Sequence, residues 1–432
     1  MAANKTLITL AGIGPGSFET MTVAVAKAIA EADVIFGAKR LVESLSGAMA
    51  KELAGFLPHS DGAAASVEKL PIYKTAEILA HLKAHPEYKH PLVLFSGDTG
   101  FYSGALSFVR DLNNSGEDQN YDTRFLCGIS SIVYFCSKAQ KSWHDVTLLS
   151  RHGRECNVVG HLRHAKKCLL LLSGLSELKE IGTLLENAER EEILEKVSVT
   201  FGYQLTLPEE EIRTVTPAEM QQLTKEGLYV LYIEHSGSHL DAVVPGLPDS
   251  AFLRGKAPMT KEEVRAVSLC KLRLKKDSVV YDIGAGTGSV SVEAALICID
   301  GAVHAVEYKD DAYELLLQNR DRFCLENLNV IHGKAPEAMA ELPAPTHAFI
   351  GGSAGNMEQI LNCLLEKNPK IRIVLNCIAL ETLSEVTNIL KKLPVTEPEF
   401  VLLQASRADQ VGSYHLMKAE NPIYIISFEG KG

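Results

Sequence analysis

None of the nine cysteines (Cys127, Cys136, Cys156, Cys168, Cys270, Cys298, Cys324, Cys363, Cys377) belongs to a C-x-x-C pair, and their number is odd. That argues against a zinc ribbon or a disulfide scaffold and points to a reduced compartment. His59, His81, His144, His304, His332 and His347 are not set at metal-ligand spacing from one another or from cysteine, and no metal is expected. Long apolar runs are missing as well. No stretch approaches the roughly 18 residues of a membrane span, and the run within Met1 to Leu10 stops at Gly12, short of a secretory signal. A soluble cytoplasmic protein is expected. Basic residues are the minority, 43 Lys and Arg against 54 Asp and Glu, for a net charge of -11. Such a balance opposes nonspecific binding to nucleic acid or anionic lipid, so an anionic ligand must meet a local basic patch.

What is present fits ordinary globular domains, with 46% apolar and 22% charged residues over 432 positions. The length favours two or three domains. Two segments share one grammar, in which an apolar run meets a glycine-rich turn and then a helix-like stretch, the opening of an α/β unit. The first runs Leu7 to Ala11 into Gly12-Ile13-Gly14-Pro15-Gly16, with Ser17 expected to cap a helix through Ala30. Strand-like runs follow at Val93 to Phe95, Phe125 to Cys127, Leu169 to Leu172, Val197 to Phe201 and Val230 to Glu234. Gly and Pro cluster from Ser236 to Pro248, where no apolar period survives, and this reads as a linker.

Beyond it, Thr260-Lys261-Glu262-Glu263 has the spacing of a capping box and predicts a helix to about Leu274. Val279 to Asp282 then reads as a strand, Ile283 to Gly288 as a turn, and Val290, Ala294 and Ile297 as one face of the next helix. Further strands are expected at Ala302 to Val306, Ala348 to Ile350, Ile371 to Leu375 and Ile423 to Ile426. No repeat of solenoid length and no low-complexity tract occurs, so the two glycine-loop units read as separate cores.

The second turn, Asp282-Ile283-Gly284-Ala285-Gly286-Thr287-Gly288, lets backbone approach a bound nucleotide or nucleoside closely. A dinucleotide fingerprint wants G-x-G-x-x-G, and Ser289 stands where its third glycine should be, which favours S-adenosylmethionine (SAM) over NAD. Glu307, about 20 residues on, ends the next strand where a carboxylate can take both ribose hydroxyls. The first turn fits no phosphate cradle because Pro15 removes an amide. Ser96-Gly97-Asp98-Thr99-Gly100-Phe101 places a second glycine turn at the same sheet edge, which makes a cleft there.

These residues resemble a known pair of families. Gly12 to Gly16, Ser96 to Gly104, Gly128-Ile129-Ser130-Ser131 and His152-Gly153-Arg154 resemble the tetrapyrrole methylases, in particular the precorrin carbon-5 methyltransferases. Thr260 to Val267, Asp282 to Gly288, Phe349 to Ser353 and Asn376 to Leu383 resemble the precorrin carbon-15 methyltransferases that also decarboxylate. The resemblance implies an α/β chain with three parts. Residues 1–236 would be a tetrapyrrole-methylase (class III methyltransferase) domain of two α/β subdomains, 237–254 a linker, and 255–432 a Rossmann-like class I SAM methyltransferase domain.

It also implies two SAM sites, with Pro15, Gly97, Asp98, Phe101, Ser130 and Ser131 at the first and Thr260, Asp282, Gly284, Gly286, Gly288, Glu307 and Ala335 at the second. One departure stands out: Gly333-Lys334-Ala335 replaces the family's Gly-Asp-Ala, so the carboxylate expected near adenine is missing. The implied substrate is a carboxylate-rich corrin precursor of cobalamin biosynthesis, methylated at carbons 5 and 15 and decarboxylated at the carbon-12 acetate.

Methyl transfer from a sulfonium needs alignment more than covalent help, and the sequence shows no catalytic triad. The substrate's carboxylates call for cations. Arg151 and Arg154 are the candidates in the first half, within a basic run that continues through His161, Arg163, His164, Lys166 and Lys167. In the second half the candidates are Arg254, Lys256, Lys261, Arg265 and Arg407, with Arg407 chosen as the catalytic residue. Self-association is expected from the resemblance. Two other readings stay open, an NAD-linked oxidoreductase and a fusion in which one domain only holds the macrocycle.

Overall fold

The computed structural model describes residues 5–46, 48–53, 55, 67–151, 156–237 and 243–432. The first sheet holds β1 (Thr6–Gly12), β2 (Val34–Gly37), β3 (Glu68–Leu70), β4 (Pro91–Phe95) and β5 (Tyr121–Leu126) in the order β3-β2-β4-β1-β5, all parallel. Its central strands are apolar along their length because helices cover both faces. Ile8, Leu10, Phe36 and Val93 pack with the helices Thr75–Ala84 and Ala105–Asn114, while Ala11, Ile13, Ile35 and Leu94 pack with Val23–Glu31.

The second sheet, order β6-β7-β10-β8-β9, is formed by β6 (Thr147–Ser150), β7 (Lys167–Leu172), β8 (Ser198–Tyr203), β9 (Glu211–Val215) and β10 (Tyr229–Glu234). Only β6 and β7 pair in parallel; the other neighbours run antiparallel.

The third sheet comprises β11 (Val279–Ile283), β12 (Ala302–Glu307), β13 (Leu328–His332), β14 (His347–Ile350), β15 (Arg372–Cys377), β16 (Glu399–Leu403) and β19 (Ile423–Glu429), with β17 (Ser406–Val411) and β18 (Tyr414–Ala419) forming a separate hairpin. Its order is β13-β12-β11-β14-β15-β19-β16, parallel except where β19 runs against β15 and β16. The order reverses at β11, and open α/β sheets place their ligand crevice beyond the carboxyl ends of strands at such a point.

Several local expectations change. Ser17 heads a 3-10 turn, Phe18–Thr20, and the following helix starts at Val23 under Thr22, whose hydroxyl accepts from the Val25 amide. The capping box at Thr260 does not form. The helix there is Glu262–Leu272 with Lys261 before it, and the Glu262 amide donates instead to Asp249 Oδ1 at 3.0 Å, while Glu263 is taken up by Arg407. Residues 243–254 are not a bare tether either: Phe252 is buried and Val243 and Leu247 pack on the core of the third sheet.

The halves meet where the second sheet's layer docks against the amino edge of the third. Glu326, just before β13, accepts from Arg151 Nη2 at 2.7 Å and from the Val159 amide at 2.9 Å. Arg163 donates to the Phe323 carbonyl, and His161 lies 3.1 Å from Asp300. Cys324 is buried in the second sheet's own core. Burial pushes the Glu326 carboxyl up, so removing it leaves Arg151 underpaired at the seam. Glu326→Ala is expected to cost on the order of 3 kcal/mol. In scanning calorimetry it should split one transition into two; a single unshifted transition would show that this pair does not join the halves.

Candidate active sites

In the first half, β1, β4 and β5 are neighbours, so the turns that follow them converge on one sheet edge. The amide of Gly14 donates to the Gly97 carbonyl at 3.1 Å and that of Gly97 to the Gly14 carbonyl at 2.9 Å. Asp98 ties the set together, accepting from the Gly100 amide at 2.8 Å and the Gly128 amide at 3.3 Å. A side chain at Gly128 would stand 2.1 Å from the Gly97 oxygen and 2.4 Å from the Gly12 oxygen, so the three turns touch backbone to backbone.

Ser130 caps the helix Ser131–Ala139 by accepting from the Ile132 amide, and Phe101 packs against the core beneath that helix. Beyond Pro15, a Cβ on Gly16 would meet Thr206 Oγ1 at 3.1 Å, so the first turn also faces the second sheet's layer. Pro15, Gly97, Asp98, Ser130 and Ser131 are thus on or beside one rim, with Phe101 anchoring it.

The basic run does not form a free patch there. Arg151 is held between Glu180 and Glu326, Arg163 and His161 serve the domain seam, and Lys167 pairs with Asp145 at 2.9 Å. Arg154 lies outside the described residues. Arg151 and Tyr102 do line a cavity of about 640 Å³ between the halves, with Glu180, Asp300, Glu326 and Asn329. Its acids, Glu177, Glu180, Asp300 and Glu326, outnumber Arg151 and His161, which is unfavourable for a polycarboxylate.

The second half presents a cavity of about 430 Å³ at the carboxyl ends of β11, β12 and β14. Thr260, Gly284, Gly286, Glu307 and Ala335 line it, as do Lys309, Lys334, Ser353 and Asn376. Gly284, Gly286 and Gly288 have φ of +70°, +59° and +76°, which favours glycine at each. A Cβ on Gly284 would stand 2.6 Å from the Gly352 carbonyl, and one on Gly286 2.9 Å from that of Pro258. The glycines therefore let the loop pack backbone to backbone against Gly352 and Pro258 while it lines the cavity.

It offers little as a phosphate cradle. The amides of Gly284 and Ala285 donate to the Val306 carbonyl, that of Gly286 to Glu307 Oε2 at 2.9 Å, and that of Gly288 to the Ala285 carbonyl. Glu307 Oε1 also accepts from the Tyr308 and Lys309 amides, each at 2.9 Å, so its carboxylate is fixed at the rim. A nucleoside without phosphates suits this site better than a dinucleotide, because phosphate binding at a helix start depends on free amides.

Three expected residues lie elsewhere. Gly288 does not line the cavity; it starts the helix Ser289–Ile297, and a Cβ there would run into Leu316. Asp282 sits behind the loop, 1% exposed, with Ser291 donating to Oδ2 and Oδ1 unpartnered. Burial pushes its carboxyl up to about 7, with Glu307 adding to the effect. Arg407 also stays out of the cavity, because Glu263 grips its guanidinium through two bonds of 2.8 Å and Asp249 and Glu262 stand nearby. A guanidinium so neutralised is a poor clamp for another carboxylate.

Lys261 lines the cavity and Arg265 is wholly buried, whereas Arg254 and Lys256 are exposed and do not line it. Asn376, hydrogen-bonded to Ser268, and the pair Glu420 and Asn421 were not singled out as site residues. Asn376 and Ser353 stand within motifs that the resemblance rests on, while nothing in the sequence marks Glu420 and Asn421.

Residues 251–429 match the family model described as "Precorrin methyltransferase domain", and residues 7–221 match "Tetrapyrrole (Corrin/Porphyrin) Methylases". A cobalt-precorrin-6B C(15)-methyltransferase (decarboxylating) of Salmonella typhimurium is 37% identical over 183 residues, covering 42% of this chain and 94% of the relative. The chain belongs to the precorrin methyltransferase family.

A Pyrobaculum calidifontis protein named "Probable cobalt-precorrin-6B C(15)-methyltransferase (decarboxylating)" is 41% identical over 186 residues, covering 42% of this chain and 95% of its own. A solved structure described as precorrin-6y C5,15-methyltransferase from Geobacter metallireducens is 34% identical, with a TM-score of 0.41, and covers 43% of this chain and 98% of its own. Both matching families are described as methyl-transferring enzymes, which sets the oxidoreductase reading aside. Among the described residues no helix is long and apolar enough to cross a membrane.

Proposed function

We propose that this chain is a two-site methyltransferase of cobalamin biosynthesis. Residues 1–236 methylate carbon 5 of a precorrin or cobalt-precorrin ring, and residues 255–432 methylate carbon 15 and remove the carbon-12 acetate carboxyl. Each half binds one SAM. The observation that carries the second site is the glycine loop lining the cavity with the amides of Gly284, Ala285 and Gly286 already bonded to Val306 and Glu307, and Glu307 fixed at the rim. Such a cradle fits a cofactor made of a nucleoside and an amino acid, without phosphate. Asp282 supports the fit, since a buried carboxylate with an unpartnered oxygen favours a cation nearby.

SAM, when bound, supplies an electrophilic methyl on a sulfonium. The chain's own groups bind and align. Glu307 would take the ribose hydroxyls and Ala335 with its neighbours would hold the adenine through backbone groups, since Lys334 stands where the family has Asp. Lys309 and Lys334 line the cavity and offer charge to the ring's carboxylates. The largely apolar wall, with Val264, Val290 and Phe349, would exclude water from the acetate arm and so favour breaking its C–C bond, with neutral carbon dioxide leaving and the bonding electron pair staying on the ring. Electrons left by that loss can travel through the conjugated ring to carbon 15. Homo-oligomerisation and a cytoplasmic setting belong to the same proposal.

Calorimetry on the full chain tests it. SAM should fill two sites, Glu307→Gln should remove one, and Asp98→Ala should weaken the other. One site in the unaltered chain would make one half a scaffold; two sites, with methylation at only one ring position, would count against the double activity.

A further inference from the structure

Arg265 is 0% exposed and belongs to a buried ionic node that the reaction chemistry has not used. Its Nε donates to Glu293, which is itself 1% exposed on the helix behind the glycine loop. Its Nη1 donates to the Thr260 carbonyl at 2.6 Å and lies 3.3 Å from Asp249 Oδ1. Its Nη2 donates to the Leu247 carbonyl. The guanidinium rests 4.7 Å from the centre of the Phe252 ring. Glu293 in turn accepts from the amides of Gly246 at 2.7 Å and Leu247 at 3.2 Å.

One side chain thus joins three things: the segment arriving from the first half, the glycine-loop helix, and the stretch Ala257 to Lys261. That last stretch is a wall of the second cavity, and its Pro258 carbonyl lies against Gly286. A guanidinium can hold such divergent acceptors because its donors form a rigid planar fork, which an ammonium cannot reproduce.

We infer that Arg265 is a positioning residue for the second site, setting the Thr260 wall against the glycine loop and fixing that wall to the incoming interdomain segment. The inference rests on SAM occupying the second cavity. Arg265 touches no ligand; it acts through Thr260. Loss of the fork frees the wall to move away from Gly286, and cofactor affinity falls because the bound geometry is no longer preformed.

The test uses the full chain with S-adenosylhomocysteine as calorimetric probe and SAM in turnover. Arg265→Lys should weaken probe binding about tenfold at one site while the other stays within twofold. In turnover, the SAM KM for carbon-15 methylation should rise about tenfold with kcat within twofold. A purely structural loss would instead lower kcat through the active fraction and leave KM alone.

Should Arg265→Lys melt below the assay temperature, Phe252→Leu decides the matter. It keeps an apolar filling but removes the ring under the guanidinium, and about threefold weaker binding is expected. Unchanged affinity in the variant that stays folded overturns the inference. Failure of the unaltered chain to bind the probe in its second half would instead overturn the functional reading.

Discussion

Gly128→Ala is expected to lower carbon-5 methylation at least about 100-fold while carbon-15 methylation stays within twofold. The added methyl would stand 2.1 Å from the Gly97 oxygen and 2.4 Å from the Gly12 oxygen, and both are backbone atoms that no rotamer change can move aside. The three turns after β1, β4 and β5 must therefore separate, also straining the bond between the Gly128 amide and Asp98. Overpacking of this kind costs roughly 1–3 kcal/mol in stability. The effect on rate is larger, since a displacement of about 1 Å at a site built for alignment can cost about 100-fold. Isotopically labelled SAM with mass spectrometry at each ring position reads the two reactions separately. A variant that melts earlier yet methylates carbon 5 at the original rate would remove the three-turn rim from the first active site.

Sequence alone carried the parts of this fold whose signal is local. Past their first residues, the runs beginning at Leu7 and Val279 are buried on both faces, as is most of the run at Val93, so each reads as a strand from its own residues, and the glycine turns after them follow from the same grammar. β9 gives no apolar run and β5 shows only its last residues, from Phe125, because both strands are partly exposed: β5 begins at Tyr121. The hairpin β17–β18 is largely solvent-exposed and carries no apolar period at all.

The site was legible to the extent that chemistry and position coincide, as at Gly284, Gly286 and Glu307. Cations misled for a physical reason. Arg151, Arg265 and Arg407 stand in sequence where a polycarboxylate would want them, but the chain's own acids reach them first: Glu326, Glu293 and Glu263 come from positions 175, 28 and 144 residues away. Pairing over such distances cannot be read from spacing. The same holds for Thr260 to Glu263, which has the spacing of a capping box that does not form because Asp249 and Arg407, supplied by tertiary structure, take the Glu262 amide and the Glu263 carboxylate.

Asp282→Asn should separate stability from function most sharply. The carboxylate is 1% exposed, receives the Ser291 hydroxyl at Oδ2 and has no partner at Oδ1; burial pushes it up to about 7. In the unfolded chain its pKa is near the ordinary value of about 3.9. The folded state therefore keeps its proton to higher pH, so the group is most favourable to folding below about pH 4 and its contribution is lost as pH rises towards 7. At about 1.4 kcal/mol for each tenfold, the cost at pH 8 reaches at most on the order of 4 kcal/mol.

An asparagine carries no charge to bury and still accepts from Ser291, so the unliganded variant should melt higher at pH 8 and show no gain at pH 4. Cofactor binding should move the opposite way. A buried anion attracts the sulfonium cation, so SAM affinity at the second site should fall tenfold or more and lose its rise between pH 6 and 8, while neutral-sulfur S-adenosylhomocysteine is affected less. Melting curves and calorimetry at both pH values check the two halves of the argument. An asparagine variant that is less stable at pH 8 would mean that Asp282 is held by compensating groups and is not a buried cost that cofactor binding relieves.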